Sequence, residues 1–394
     1  MASLHIKHFG PIEDSTRIEF TPLMVLIGRQ SSGKSTFMKV LCFCRWIEKR
    51  VMVSTDDIIN QYTHYGRFVK ELKQFHRLND DYFKKNTSIE YEGDTITIEY
   101  RGGTNPKISR KSDFAQRRYN SKICYIPAER NLVSALQNID RAYKATERDV
   151  LFNFIYEWDE AKSPSTKSNP YRLSVTGGFS YANKSGNDFI IRKDGTESPA
   201  FYASSGIQSV TPLDVMSHYM MSQVGKRAPM SMSDLNAIQE PNSKRLTYQS
   251  AQVFIEEPEQ NLYPESQRLI ILSLVKALAE AQKQESEPSM IMLTTHSPYI
   301  LSVINVLLSA SAASSKESGK GIIDSSLLLN PSDVSGYFID EDGIFKSIVD
   351  EDLQMLDGMQ LDGVSDWVEE KMERNINLRQ MTNTQRYFRL TDTL

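Results

Sequence analysis

The stretch that most constrains this chain is Gly28-Arg29-Gln30-Ser31-Ser32-Gly33-Lys34-Ser35, a complete G-x-x-x-x-G-K-[ST] pattern. In front of it stands Leu23-Met24-Val25-Leu26-Ile27, an apolar run of strand length. Behind it Thr36-Phe37-Met38-Lys39-Val40-Leu41 starts a helical pattern that continues to about Arg50. Strand, glycine loop and helix in that order give the pattern a mechanism. Glycines let the backbone curl until successive N–H groups point inward, and the helix N-terminus adds partial positive charge. The stretch therefore predicts a phosphate cradle of Gly28, Arg29, Gln30, Ser31, Ser32, Gly33, Lys34, Ser35 and Thr36. Lys34 is expected to reach the β- and γ-phosphates of a nucleotide, and the Ser35 hydroxyl to take one Mg²⁺ position.

Length and charge narrow the class. A chain of 394 residues holds two or three domains, or one large α/β domain with insertions. The net charge is −4, without the basic excess of a dedicated nucleic-acid binder. Contact with nucleic acid would need a local patch. Lys107, Arg110, Lys111, Arg117, Arg118 and Lys122, relieved only by Asp113, read as a basic loop that could supply one. The three cysteines, Cys42, Cys44 and Cys124, form no C-x-x-C pair, so neither a disulfide framework nor a zinc site is expected. No apolar run has membrane-spanning length, and the first residues read as a strand rather than a signal peptide. A cytoplasmic protein without membrane contact is expected.

In chain order, Leu4–Phe9 and Arg17–Phe20 read as strands around a turn at Gly10-Pro11. Residues 54 to 84 have a mostly helical pattern. Ser88–Tyr91 and Thr95–Tyr100 alternate as a hairpin about Glu92-Gly93-Asp94. Lys122–Pro127 is a strand, a helical stretch runs from Leu132 to Trp158, and residues 162 to 169 read as a linker. Short strands fill 171 to 202. A Met-rich helix covers Ser204 to Ser222, its methionines expected in the core. Residues 225 to 248 read as a surface loop, Pro264 to Gln282 as an amphipathic helix, and Ser309 to Gly321 as a flexible loop. A hairpin at Asp342-Gly343 and an acidic helix near Asp366 close the pattern.

Three more segments carry chemistry. Val253-Phe254-Ile255 runs into Glu256-Glu257, describing a buried strand that delivers two carboxylates at its C-terminal end, where nucleotide sites of open α/β sheets lie. Glu256 is expected to support Mg²⁺, through water, and Glu257 to orient or deprotonate the attacking water. Met290–Thr295 is a second buried strand, ending at His296, which can reach the γ-phosphate and sense its loss. Ala203-Ser204-Ser205-Gly206-Ile207-Gln208 is a small-residue loop entering a helix.

The order of these segments resembles the ATP-binding-cassette superfamily. The closer resemblance is to its soluble branch, which includes SMC and RecF-like heads and the OLD-like ATPases of phage defence. Ile6–Ile12, Tyr125–Arg130, Glu256–Pro264 and Thr295–Pro298 look like motifs of that branch. The resemblance implies an α/β fold, an ABC-type ATPase head with a RecA-like, mostly parallel sheet core, an antiparallel β lobe and helical insertions. It implies one domain over 1–394. Within it lie a β lobe and phosphate loop (1–45), an inserted helical and β region (46–202), a core with signature helix, acid strand and switch histidine (203–310), and a C-terminal hairpin and helix (322–394). Ser205, Gly206 and Gln208 carry over as the signature loop that contacts nucleotide. Glu257, His296 and Lys34 carry over as catalytic residues, and Asn261-Leu262 as the loop that crosses to the partner subunit. Glu256 stands where the family more often has aspartate, and Ile207 where transporters have a second glycine. Ala128-Glu129-Arg130 occupies the place of the transporters' glutamine loop.

The function so implied is an ATPase of slow, regulatory turnover that forms ATP-sandwich dimers. It would control a separate effector, a nuclease or toxin, in antiviral defence. The alternative is a DNA-repair ATPase that binds DNA directly, and a transporter motor would be shorter with a glycine-richer signature. A self-contained nuclease would need a metal-binding Toprim domain. The roughly hundred residues after His296 show no apolar strand delivering an acidic metal cluster.

Overall fold

The computed structural model describes residues 2–54, 56–136, 139, 149–238, 243–284, 287–314, 323–359 and 371–372. The chain opens with a hairpin, β1 (Ser3–Phe9) and β2 (Ile12–Glu19), and leaves it through β3 (Leu23–Gly28) and helix α1 (Lys34–Val53). It returns as β4 (Phe83–Glu92), β5 (Ile96–Arg101) and β6 (Lys107–Arg110). These complete a five-stranded antiparallel lobe ordered β2-β1-β4-β5-β6. After β7 (Asn120–Ile126) and α2 (Val150–Lys162) comes a small antiparallel sheet of β8 (Tyr171–Arg172), β9 (Ser180–Lys184), β10 (Asn187–Ile191) and β11 (Glu197–Pro199). The rest runs α3 (Ser205–Met221), β12 (Tyr248–Glu256), α4 (Pro264–Gln282), β13 (Met290–Thr295), α5 (Pro298–Ser314), β14 (Val334–Ile339) and β15 (Phe345–Ser347).

The core sheet has the order β15-β14-β3-β13-β12-β7, parallel throughout except for β15 at the edge. Every residue of β3, β12 and β13 is buried. Such strands have no solvent face, which is why their sequences are continuous apolar runs rather than alternating ones. The two faces pack differently. Met24, Leu26, Phe254 and Met292 meet α1 and the antiparallel lobe through Phe37, Leu41 and Ile6. Val25, Ile27, Ile255 and Leu293 meet α2 to α5 through Phe154, Met216, Leu274 and Ile304. Met216, Met220 and Met221 are core residues, as their spacing suggests. Register then aligns the strand ends: Ile27 pairs with Thr295 and Glu256 with Thr294. The three loops that follow leave the sheet together at the C-terminal ends of these strands.

Several expectations need correction. The basic loop is in part sheet, since β6 takes Lys107–Arg110 and β7 begins at Asn120. Lys122 is consequently buried and ion-paired with Glu157 at 2.7 Å, and Arg118 donates to the Met52 carbonyl at 2.7 Å. Helix α5 runs through Ser314, so Ser309–Ser314 is not a loop. Between residues 225 and 248 there is a short helix, Met232–Ala237, capped by the Ser231 hydroxyl. Residues 162 to 169 turn back on themselves through a bridge between Thr166 and Asn169. The acidic helix near Asp366 lies outside the described residues.

Candidate active site

The phosphate loop follows β3 as expected, and its glycines are there for geometric reasons. Gly28 has φ +149° and a Cβ there would stand 2.7 Å from the Ile339 carbonyl oxygen. Gly33 has φ +111°, and its Cβ would meet Ile12 at 2.8 Å. Neither place admits a side chain. Helix α1 starts at once, with no side-chain cap and no acidic residue in its first turn. Its first N–H groups are thus left for a ligand, which is the helix end an anion prefers. Lys34 folds back over the loop and donates to the carbonyls of Gly28 (2.9 Å) and Arg29 (2.7 Å). Burial pulls its pKa down to about 8, against the opposing pull of Glu257 and Glu259.

The acid turn stands opposite. Glu257 follows β12 with φ +43°, unusual for a residue with a side chain. Its N–H donates to the Thr294 carbonyl oxygen at 3.0 Å, tying the turn to β13. The His296 Nε2 lies 3.7 Å from the Glu257 Oε1, near but beyond hydrogen-bond reach. Burial, then the Lys34 cation, lower the His296 pKa, with Glu257 opposing, so the ring is mostly neutral at pH 7. The main-chain N–H of His296 donates to Glu259 at 2.7 Å. Burial raises the Glu259 pKa, and this hydrogen bond counters it. From the same loop, Ser297 donates to Gln267 of α4 (2.6 Å), and Gln267 to the Leu262 carbonyl oxygen (3.0 Å).

The structure brings Gln30, Ser31, Ser32, Gly33, Lys34, Ser35, Thr36, Glu257 and His296 around one cleft of about 690 Å³. That volume is in the range of small-molecule sites. It adds residues that sequence reasoning missed: Lys39 on α1, and Asn79, Asp81 and Tyr82 on the far wall. Tyr82 is fixed there by Phe9, edge-on at 5.7 Å, and by Gly10, where a Cβ would touch its ring. The cleft also fits a phosphate ligand at a finer level: the Ser32 hydroxyl is buried without a partner, an orphan a phosphate oxygen could satisfy.

Other expected residues stand elsewhere. Glu256 is off the cleft wall, its carboxylate taken by the Tyr125 hydroxyl (2.6 Å) and the Ala128 N–H (3.0 Å). Arg29 is exposed and ion-paired with Glu341. Ser205 and Gly206 open α3 outside the cleft, where a Cβ on Gly206 would stand 2.7 Å from the Asn261 carbonyl oxygen. Gln208 is half-buried and already engaged, donating to the carbonyls of Ala200 and Phe201. Like α1, α3 has no side-chain cap and no acid in its first turn. Glu129 and Arg130 form a short 3₁₀ turn after β7. Arg130 is completely buried, its guanidinium donating to main-chain carbonyls, and burial holds its pKa down at about 10 against nearby Glu259 and Glu257.

A profile of the AAA ATPase domain family matches residues 104–301, just over half of the chain. The chain belongs to the AAA ATPase domain family. The matched part of this ATPase holds Arg130, the Ser205 loop, the Glu257 turn and His296, and starts beyond the phosphate loop. No curated protein matches it in sequence. Among solved structures, the SMC head domain from Thermotoga maritima is similar at 12% identity. That match covers 88% of this chain and 97% of that one, with a TM-score of 0.38. The Smc head of Pyrococcus furiosus, solved with the C-terminal domain of ScpA, is similar at 12% identity, 94% and 100% coverage and a TM-score of 0.41. The recombination mediator RecF gives 10%, 88%, 97% and 0.36. No residue role rests on likenesses this distant. Among the described residues, no helix is long and apolar enough to cross a membrane, and no cluster of His, Cys, Asp or Glu could hold a metal ion unaided. The three cysteines are buried free thiols.

Proposed function

We propose that this ATPase closes as an ATP-bound pair of subunits and uses slow hydrolysis to control a separate effector. The observation that carries the reading is how the site is divided. The phosphate loop, Glu257 and His296 share one cleft, while Ser205 and Gly206 lie outside it beside Asn261. One subunit would supply the grip, the acid and the histidine, and a second the signature loop. The uncapped starts of α1 and α3 support this, since both leave N–H groups for phosphate oxygens.

In this reading Lys34 would exchange its bonds to the loop carbonyls for the β- and γ-phosphates. Ser35 would hold Mg²⁺, with Glu256 supporting the ion through water from a carboxylate that Tyr125 and Ala128 keep in place. The ion, when bound, would neutralise charge on the phosphate oxygens. Glu257 would orient the attacking water or accept its proton, and neutral His296 would face the γ-phosphate. Asn261-Leu262 would cross to the second subunit. The effector, a nuclease or toxin, and a role in antiviral defence in the cytoplasm rest on the resemblance of the motif order to the OLD-like branch, as does the organisation of residues 1–394 as one domain. Direct DNA binding is less well supported, because Arg118 and Lys122 are already engaged within the protein.

Glu257→Gln keeps the shape of the side chain and removes the carboxylate. It is expected to bind ATP, lose turnover and accumulate as a nucleotide-bound assembly. Ser205→Arg should bind ATP on the intact loop yet fail to close or hydrolyse. Light scattering with and without ATP, run beside phosphate release, decides between them. Wild-type turnover in Glu257→Gln would remove that residue from catalysis, and normal hydrolysis in Ser205→Arg would make each site self-sufficient.

A further inference from the structure

Arg130 has no exposed surface, and each hydrogen bond described for it ends on a main-chain carbonyl. Its Nε donates to Ser209 at 3.2 Å, on the first turns of α3. One terminal nitrogen donates to Glu256 at 2.6 Å and Pro127 at 3.4 Å, the other to Glu257 at 2.7 Å. Burying a guanidinium is costly, and a lone core residue at this place would be cheaper as an apolar side chain. What the guanidinium alone can do is span three chain segments with a rigid planar fork.

Its ends are specific. Ser209 is one turn along the helix that Ser205 opens, and Pro212 in that helix removes the N–H that would bond the neighbouring Gln208 carbonyl. Glu257 sits at φ +43°, with its N–H held by Thr294 and its carbonyl by Arg130. The two peptide units that set the direction of the Glu257 side chain are therefore clamped, both of them through Arg130 and the first also through Thr294. We propose that Arg130 is a positioning residue that ties the start of α3 to Glu257, so that contact made at Ser205 by a second subunit sets the acid for hydrolysis. This rests on the composite site proposed above. It makes hydrolysis conditional on assembly within each subunit's own fold.

The test is Arg130→Met, which keeps volume and removes every donor, with Arg130→Ala plus added guanidinium ion as the second variant. In Arg130→Met, ATP affinity and ATP-dependent assembly should stay within threefold of wild type, while kcat falls about 100-fold with KM little changed. Millimolar guanidinium should restore at least tenfold of the lost rate in Arg130→Ala and do nothing for wild type. A kcat within threefold of wild type in Arg130→Met overturns the inference. So does a parallel loss of melting temperature, ATP affinity and assembly, or failure of both variants to fold, since each describes a purely structural arginine. Glu257→Gln is assayed alongside. If it keeps turnover, Glu257 is not the acid that Arg130 would position; if Ser205→Arg, run beside it, hydrolyses normally, the composite-site reading has failed; if both lose turnover while Arg130→Met keeps it, only the role of Arg130 has.

Discussion

The phosphate loop and the acid turn line one cleft at the C-terminal ends of the parallel strands, yet they hold unusual backbone in different ways. In the loop, φ is positive at Gly28 and Gly33, where glycine adopts it freely, and at Ser31 (φ +60°). In the turn it is positive at Glu257 (+43°), which adopts it at a cost, and at Asn261 (+61°), of a residue type that tolerates it better than most. The first conformation is written into residue type. The second is imposed by neighbours, through Thr294 and Arg130. A loop of the first kind can be ready before ligand arrives, whereas a turn of the second kind depends on what its neighbours do.

The comparison breaks first at Lys34. Lys34→Ala removes the cation facing the phosphates, a charge-assisted contact worth ~1.5–3 kcal/mol. A titration with a fluorescent ATP analogue should show affinity lower by roughly 10- to 150-fold, and equal affinity would remove the loop from the site. A smaller effect follows from the buried setting of the same lysine. Its pKa is depressed to about 8, so the cation is complete below that pH and is lost as pH rises through it. ATP affinity should therefore fall from pH 7 to pH 9, with proton uptake on binding above pH 8, and calorimetry in buffers of different ionisation heat would detect it. An affinity flat across that range would show Lys34 charged throughout. The smallest effect sharpens the contrast at the turn. Asn261→Ala should cost about 1 kcal/mol in thermal unfolding and Asn261→Gly close to nothing, because only backbone conformation is at stake. A larger loss in Asn261→Gly would mean that the side chain holds the turn.

Legibility in the sequence follows the same division. The phosphate loop, its strand and its helix could be read because the glycines, the lysine and the continuous apolar run are local. The strands ending at Glu256 and Thr295 were legible for the same reason, and α4 begins at Pro264 where a proline suits the first turn. Arg130 was not, since its meaning lies in carbonyls of residues 209, 256 and 257, far along the chain. Lys122 was misread as part of a charged run. Its alternation within β7 turns it onto α2, where Glu157 and Glu160 receive it. Tyr82 carries no motif at all; Gly10 and Phe9 place it.

One pairing also sets a timetable for synthesis. The phosphate-loop strand β3 takes β14 as a parallel neighbour, Leu23 beside Val334 and Gly28 beside Ile339, and the tip at Gly343 accepts the N–H of Glu13 (3.0 Å). On a ribosome, β3 emerges while that partner is still uncoded by some 300 residues of chain. At ordinary elongation rates the wait is on the order of 15–60 s. Through it the nascent chain carries an open, wholly apolar strand edge of the kind chaperones occupy. A ribosome-stalled chain ending before residue 330 should hold no nucleotide, so the ability to bind ATP waits for a strand made some 300 residues after the phosphate loop.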